Sequence, residues 1–194
     1  MNVKSVITIS RQYGSGGRKI GMMLGERLGI PVYDKELINM AARESGMAKE
    51  LFEQNDEKVE TGLFHSYTQL NERLYLAQFD TIKKIAKEGP CIIVGRCADY
   101  VLRKMDSRCA VFIHAPLQDR IDRAIKEYGV PQDKAASVVS QHDKQRMKYH
   151  NYYADSQWGD VRNYQLAVDS GWLGVEGAVD LIEACIKLRE AKIK

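Results

Sequence analysis

The stretch that most constrains the fold is a strand that runs through glycines straight into a helix. Residues 6–10, VITIS, form a short apolar run of the kind that makes a buried strand. Arg11-Gln-Tyr-Gly-Ser-Gly-Gly-Arg-Lys19 follows at once, and then Ile20, Leu24 and Leu28 fall at i, i+4 and i+8 on one face of a helix. Such a junction aims successive backbone N–H groups and the positive end of a helix at one spot, which suits phosphate. Gly14, Gly16 and Gly17 supply the permissive backbone such a cradle needs. Yet the pattern GxxxxGK[ST] fails: with Gly14-Ser15-Gly16 on its closing glycines, Gly17 takes the lysine position and Arg18 the hydroxyl position. GxGxxG fails as well, at Lys19. By themselves the glycines serve equally a tight turn that packs a helix on a strand. Arg11, Arg18 and Lys19 favour phosphate, since a structural turn has no need of three cations.

The rest of the chain repeats the strand–helix alternation. Gly29 stops the first helix and residues 30–33 read as a second strand, followed by two short helices over 35–54. Residues 66–87 carry Leu70, Leu74, Ala77, Ile82, Ile85 and Ala86, an amphipathic helix. Gly89-Pro90 precedes a strand at 91–94, and a helical stretch follows at 97–104. A strand at 109–114, helices at 117–128 and 132–150, a last strand at 164–168 and a helix over 175–194 complete the pattern. This alternation predicts an α/β fold with a parallel sheet covered on both faces, with ligands outside the carboxyl ends of its strands. Four segments lie at such ends: 10–17, Asp34, 95–99 and 114–116.

At 194 residues the chain has the size of one domain, or one domain with a small lid. Its balance of 29 Lys and Arg against 26 Asp and Glu, +3, is too mild to make nucleic acid the main partner. No run approaches the ~18 apolar residues of a membrane span. Cys91, Cys97, Cys109 and Cys185 show no CxxC or zinc spacing and read as reduced thiols, which predicts a cytoplasmic protein. His65, His114, His142 and His150 show no partner pattern and receive no catalytic role.

ISRQYGSGGRKIG, then IPVYDKELI, then GPCIIVGRCADYVL, and finally DKQRMKYHNYYADSQWGDVRNYQLAVDS resemble, in this order, the cytidylate-kinase-like family of P-loop proteins. The resemblance implies a single nucleoside-monophosphate-kinase-like P-loop domain over 1–194. It has a five-stranded parallel sheet flanked by helices, a helical NMP-binding insertion at 35–88 and a lid at 131–160. It further implies transfer of the ATP γ-phosphate, with Mg²⁺, to a nucleoside monophosphate or a similar small phosphorylated acceptor. Residue by residue, Gly14, Ser15 and Gly16 match the loop around the donor phosphates, with Arg11 and Gly17 beside it. Arg18 and Lys19 stand in for the missing lysine charge, but neither replaces the hydroxyl that helps hold magnesium, so the metal ligands are not identified. Asp34 matches the aspartate after the second strand, and Met40 stands where an acceptor-gripping arginine belongs, with Arg43 the nearest substitute. Arg96 matches the Gly-Arg of an acceptor segment whose aspartate is here Cys97, with Asp99 two residues on. Arg146 is the lid's phosphate clamp, accompanied by Asp143, Lys148 and the aromatic Tyr153. The departures at Gly17, Arg18, Met40, Val94 and Cys97 keep open a nucleotide- or anion-binding protein that has lost kinase activity. An RNA-binding accessory role would rest only on the basic tail and the Arg/Tyr-rich segment. A homo-oligomer is compatible with the long 66–87 helix.

Overall fold

The computed structural model describes residues 3–34 and 64–192. The described elements are β1 (Val6–Arg11), α1 (Gly17–Leu28), β2 (Val32–Tyr33), α2 (Phe64–Glu88), β3 (Ile92–Val94), α3 (Ala98–Val101), β4 (Arg108–His114), α4 (Leu117–Lys126), α5 (Gln132–Tyr153), a 3-10 turn (Val161–Asn163), β5 (Leu166–Asp169) and α6 (Ser170–Glu190). The two short helices expected over 35–54, and Arg43 with them, lie outside the described residues.

The five strands form one parallel sheet in the order β2-β3-β1-β4-β5. β1 is central and buried along nearly its whole length, because both faces of a parallel sheet are covered. The period of two sorts its neighbours cleanly. Ile7, Ile9, Ile92, Val94, Val111 and Ile113 turn to one face, where they meet Ile20 and Leu24 of α1 and Val179, Ile182 and Ile186 of α6. Val6 and Ile93 turn to the other face, against Ile82 and Ile85 of α2 and Ala98 and Val101 of α3.

α1 packs unusually close to the sheet. A Cβ on Gly21 would stand 3.1 Å from Val94, and one on Gly25 would collide with Val32, so these glycines trade helix propensity for proximity. Gly29, at φ 66, closes the helix, and the N–H groups of Gly29 and Ile30 return to Glu26 and Gly25. The last helix begins earlier than its apolar pattern suggests. Asp169 Oδ1 accepts from the N–H of Gly171 and Trp172, a short first turn follows, and Gly174 (φ 72, ψ 175) breaks it before the buried stripe resumes at Val175. No helix of the described residues is long and apolar enough to cross a membrane. The four cysteines are free thiols.

Candidate active site

β1 delivers Arg11 to the carboxyl edge of the sheet, and the chain turns from there into α1. The Gln12 N–H donates to Ile113 O at 3.0 Å, and Gln12 Oε1 accepts from the Ala115 N–H at 3.3 Å, which pins the loop to β4. Ser15 Oγ donates back to Gln12 O at 2.8 Å. Gly14 and Gly16 hold φ values of 80 and 76; a residue with a Cβ would lose about 1–2 kcal/mol there. No side chain caps α1, and its first turn contains no acid, so its N-terminus is suited to an anion.

Two arginines of α4 brace this loop. Arg123 Nη1 donates to Gly14 O at 2.6 Å. Arg120, buried, donates to Ala115 O at 3.1 Å and pairs through Nη1 with Asp143 Oδ2 at 2.5 Å. The other Asp143 oxygen accepts the Tyr13 N–H at 2.7 Å, so the loop, α4 and α5 are tied together.

Beside the loop lies a cavity of ≈ 380 Å³, bounded by the ends of β1 and β3 and by α5. Arg11, Arg96 and Arg146 line it, and among the described residues no Asp or Glu does. The route taken by Arg11 explains the missing lysine. A Cβ on Gly17 would stand 2.6 Å from Arg11 Cβ, and a Cβ on Gly95 would collide with Arg11 Nη1. The stem of Arg11 therefore fills the space beside the lysine position, and the cation enters from the strand end instead of the helix.

Arg96 is aimed by backbone strain: Gly95, Arg96 and Cys97 have φ values of 81, 55 and 53. Two consecutive non-glycine residues in the left-handed region cost of order 1–3 kcal/mol each, a cost that persists where the surroundings enforce it. The Arg96 guanidinium lies 5.4 Å from the centre of the Tyr149 ring. Burial pushes the Tyr149 hydroxyl up to about 12, so it remains a neutral donor across ordinary pH. Arg146 Nη1 donates to Arg11 O at 3.0 Å. Burial lowers the Arg146 pKa and nearby Asp143 opposes that shift, leaving a desolvated cation, for which an anionic ligand is a strong partner.

Of the residues singled out in the sequence, the structure gathers Arg11, Arg96 and Arg146 around the cavity, with Gly14, Ser15, Gly16 and Gly17 in the adjoining loop. Arg18 and Lys19 are not among the lining residues. Arg18 Nη2 lies 2.7 Å from Asp34 Oδ2, and Lys19 Nζ lies 3.8 Å from Glu127. Asp34 is thus engaged by Arg18. Asp99 sits behind the cavity wall, 3.1 Å from His150 Nε2. Asp143 braces Arg120 and the loop, Lys148 is exposed, and Tyr153 stacks on Tyr75 with ring centres 3.4 Å apart. The sequence gives Arg120 and Arg123 no part in a site and His150 no catalytic role. The two arginines had a readable signal, since i and i+3 share a helix face directly after a strand. The pairing of His150 with Asp99 across two elements had none.

The model of the cytidylate kinase-like family matches residues 6–171, from β1 to the start of α6. The chain belongs to that family. A relative, the cytidylate kinase of Pyrococcus horikoshii, is 26% identical over 185 residues, covering 94% of this chain and 88% of the relative. An uncharacterized protein from Eubacterium ventriosum superposes with a TM-score of 0.77 at 28% identity, covering 95% of this chain and 99% of that one. Shikimate kinase from Bacteroides thetaiotaomicron, at 14% identity and a TM-score of 0.56 over 94% of this chain and 98% of its own, shares the fold. The P-loop kinase fold and the five-stranded parallel sheet expected from the sequence are therefore those of the protein. Family and fold together support a phosphotransferase.

The family implies ATP and Mg²⁺. The hydroxyl position of the loop is Arg18, whose guanidinium holds Asp34, and the described residues contain no group of three or more His, Cys, Asp or Glu placed to hold a cation. Magnesium in such sites is carried largely by substrate phosphates and water with one or two protein oxygens, and no protein ligand for it is assigned among the described residues.

Proposed function

We propose that the protein moves the γ-phosphoryl group of ATP onto a nucleoside monophosphate or a similarly small phosphorylated acceptor. The observation that carries this reading is the convergence of Arg11, Arg96 and Arg146 on one cavity, next to an uncapped, glycine-built helix start. Phosphoryl transfer asks little of a protein beyond positioning and charge neutralisation. The donor phosphates would lie along the backbone of residues 14–17, with Arg123 beside them. Arg96 would grip the acceptor anion, and Arg146 would reach across from α5 to the group in transfer. Arg11 would take the part of the P-loop lysine, a role expected of Arg18 and Lys19 from sequence. A planar guanidinium replaces a point charge there, which suits two phosphate oxygens at once. Residues 35–88 would form the acceptor-side insertion and 131–160 the lid, with Asp143 as its anchor on the loop. A coupled ADP-release assay over a panel of nucleoside monophosphates with Mg²⁺, run beside thermal shift with ATP, tests the proposal. Turnover with at least one acceptor is expected; no turnover and no ATP-dependent stabilisation would sink it.

The Arg18–Asp34 pair and the closed Gly17 position favour a second reading, a nucleotide-binding protein without transfer. Stabilisation by ATP with no ADP formed from any acceptor would decide for it.

A further inference from the structure

The turn between α5 and β5 carries a side chain for which the phosphate chemistry has no use. Trp158 lines the arginine cavity and is half-buried. Its ring meets that of Phe112 edge to face, with centres 5.4 Å apart at 81°. Phe112 pairs in register with Ser10, itself a lining residue, and residues paired across neighbouring strands share a face of the sheet. The indole thus rests on the stretch of sheet that floors the cavity. The turn is built to keep it there. The Trp158 N–H donates to Asn151 Oδ1 at 2.9 Å, which ties it to the last part of α5. Gly159 holds φ 79, and a Cβ there would stand 3.3 Å from Phe112 Cζ, so a side chain at this position would be both strained and crowded. The Gly159 N–H donates to the Tyr164 hydroxyl at 3.4 Å, and Asp160 Oδ1 accepts from the Arg162 N–H at 3.1 Å, which closes the turn.

A phosphate held by guanidinium groups gains nothing from an indole. A nucleobase does, because it is a flat ring, and stacking on an aromatic side chain serves every base through its π-face. The layout along α5 suits the two ends of one ligand. Arg146 and Tyr149 line the cavity, and Asn151, which holds Trp158, lies beyond Arg146 by about 7.5 Å of helix rise. That leaves room for a sugar between an anion at Arg96 and Arg146 and a ring at Trp158. We propose that Trp158 is the platform on which the acceptor's base stacks, and so the residue that makes the site take a nucleotide in preference to a sugar phosphate. This rests on the phosphotransferase reading and narrows its acceptor. Stacking supplies affinity for bases as a class, so the choice among bases falls to polar groups and not to Trp158.

The test separates base from phosphate. Trp158 and Trp172 are the two tryptophans of the chain, and Trp172 is 84% exposed, so Trp172→Phe leaves Trp158 as the sole indole reporter. In that variant CMP should quench the emission saturably, whereas ribose 5-phosphate, with sugar and phosphate but no base, should not. Calorimetric titration of the full chain should show wild type binding CMP more tightly than ribose 5-phosphate. Trp158→Leu should weaken CMP about tenfold or more and leave ribose 5-phosphate unchanged, and Trp158→Phe should recover most of the loss. In turnover the same loss belongs in KM with kcat retained, because stacking acts alike on ground and transition states. CMP that binds without changing the Trp158 emission overturns the inference, even where Trp158→Leu does not fold. An equal loss of both ligands in Trp158→Leu overturns it too, assigning the indole to its packing on Phe112. Turnover of CMP with the same KM in Trp158→Leu and wild type overturns the inference and leaves the phosphotransferase reading standing. Neither binding nor turnover of any nucleoside monophosphate overturns the two together.

Discussion

The glycine loop and the arginine cavity lie side by side at the same edge of the sheet, and both are rich in cations, yet they handle charge differently. Around the loop each cation meets a protein acceptor: Arg18 meets Asp34, Lys19 approaches Glu127, Arg120 meets Asp143, and Arg123 donates to Gly14 O. Around the cavity Arg11, Arg96 and Arg146 converge on one space, to whose lining no Asp or Glu of the described residues contributes. Cations spread around the loop serve its architecture. Cations gathered around one partly desolvated space act on a ligand there more strongly than in water.

This contrast can be broken by single substitutions. The largest effect is expected at Arg146: Arg146→Ala should lower kcat/KM by about 10³-fold or more, the scale of an arginine that meets transition-state charge, and Arg146→Lys should restore little of it. Steady-state kinetics on the first acceptor that turns over provides the check. Arg120→Ala should act on the other quantity. It strands Asp143 and should cost about 3 kcal/mol of stability, the low end for a broken buried pair, because Asp143 keeps some solvent. Urea denaturation measures it.

Arg11→Ala should cost about 10²-fold in kcat, while Arg18→Ala costs much less. Equal losses from the two would return the missing lysine's role to the loop and defeat the contrast. Gly95→Ala should destabilise by about 1–2 kcal/mol, since its φ of 81 lies in the left-handed region, and should displace the Arg11 guanidinium that lies against it. A parallel fall in acceptor affinity would tie that glycine to the cavity. The smallest effect belongs to Lys19→Ala, where a solvent-screened pair at 3.8 Å predicts a stability change below about 1 kcal/mol and unaltered kinetics.

Much of the molecule is legible in the sequence. The runs VITIS and CIIV read as buried strands because a strand covered on both faces must be apolar almost throughout, and Ile20, Leu24 and Leu28 read as a helix because side chains four apart share a face. Gly21 and Gly25 lie beside that face, and their cost in helix propensity is met by close contact with the sheet. The site was legible only in part. Arg11, Arg96 and Arg146 were each picked out, but so were Arg18 and Lys19, because a linear pattern counts positions along the chain and does not say which way a side chain leaves it. At Val175 the apolar stripe marked where α6 is buried, whereas the helix starts at Ser170, where Asp169 caps a turn that carries no apolar signal.

The sequence by itself determined the alternation of strands and helices, the glycine junction and the family, because periodicity and local backbone freedom act between near neighbours. The tertiary structure alone decided which cations share a cavity, that Arg11 closes the place of the missing lysine, and that His150 stands against Asp99 across two elements. Those outcomes depend on the parallel register that sets the ends of β1 and β3 beside α5. Electrostatics act over a few ångströms of space, whatever the distance along the chain.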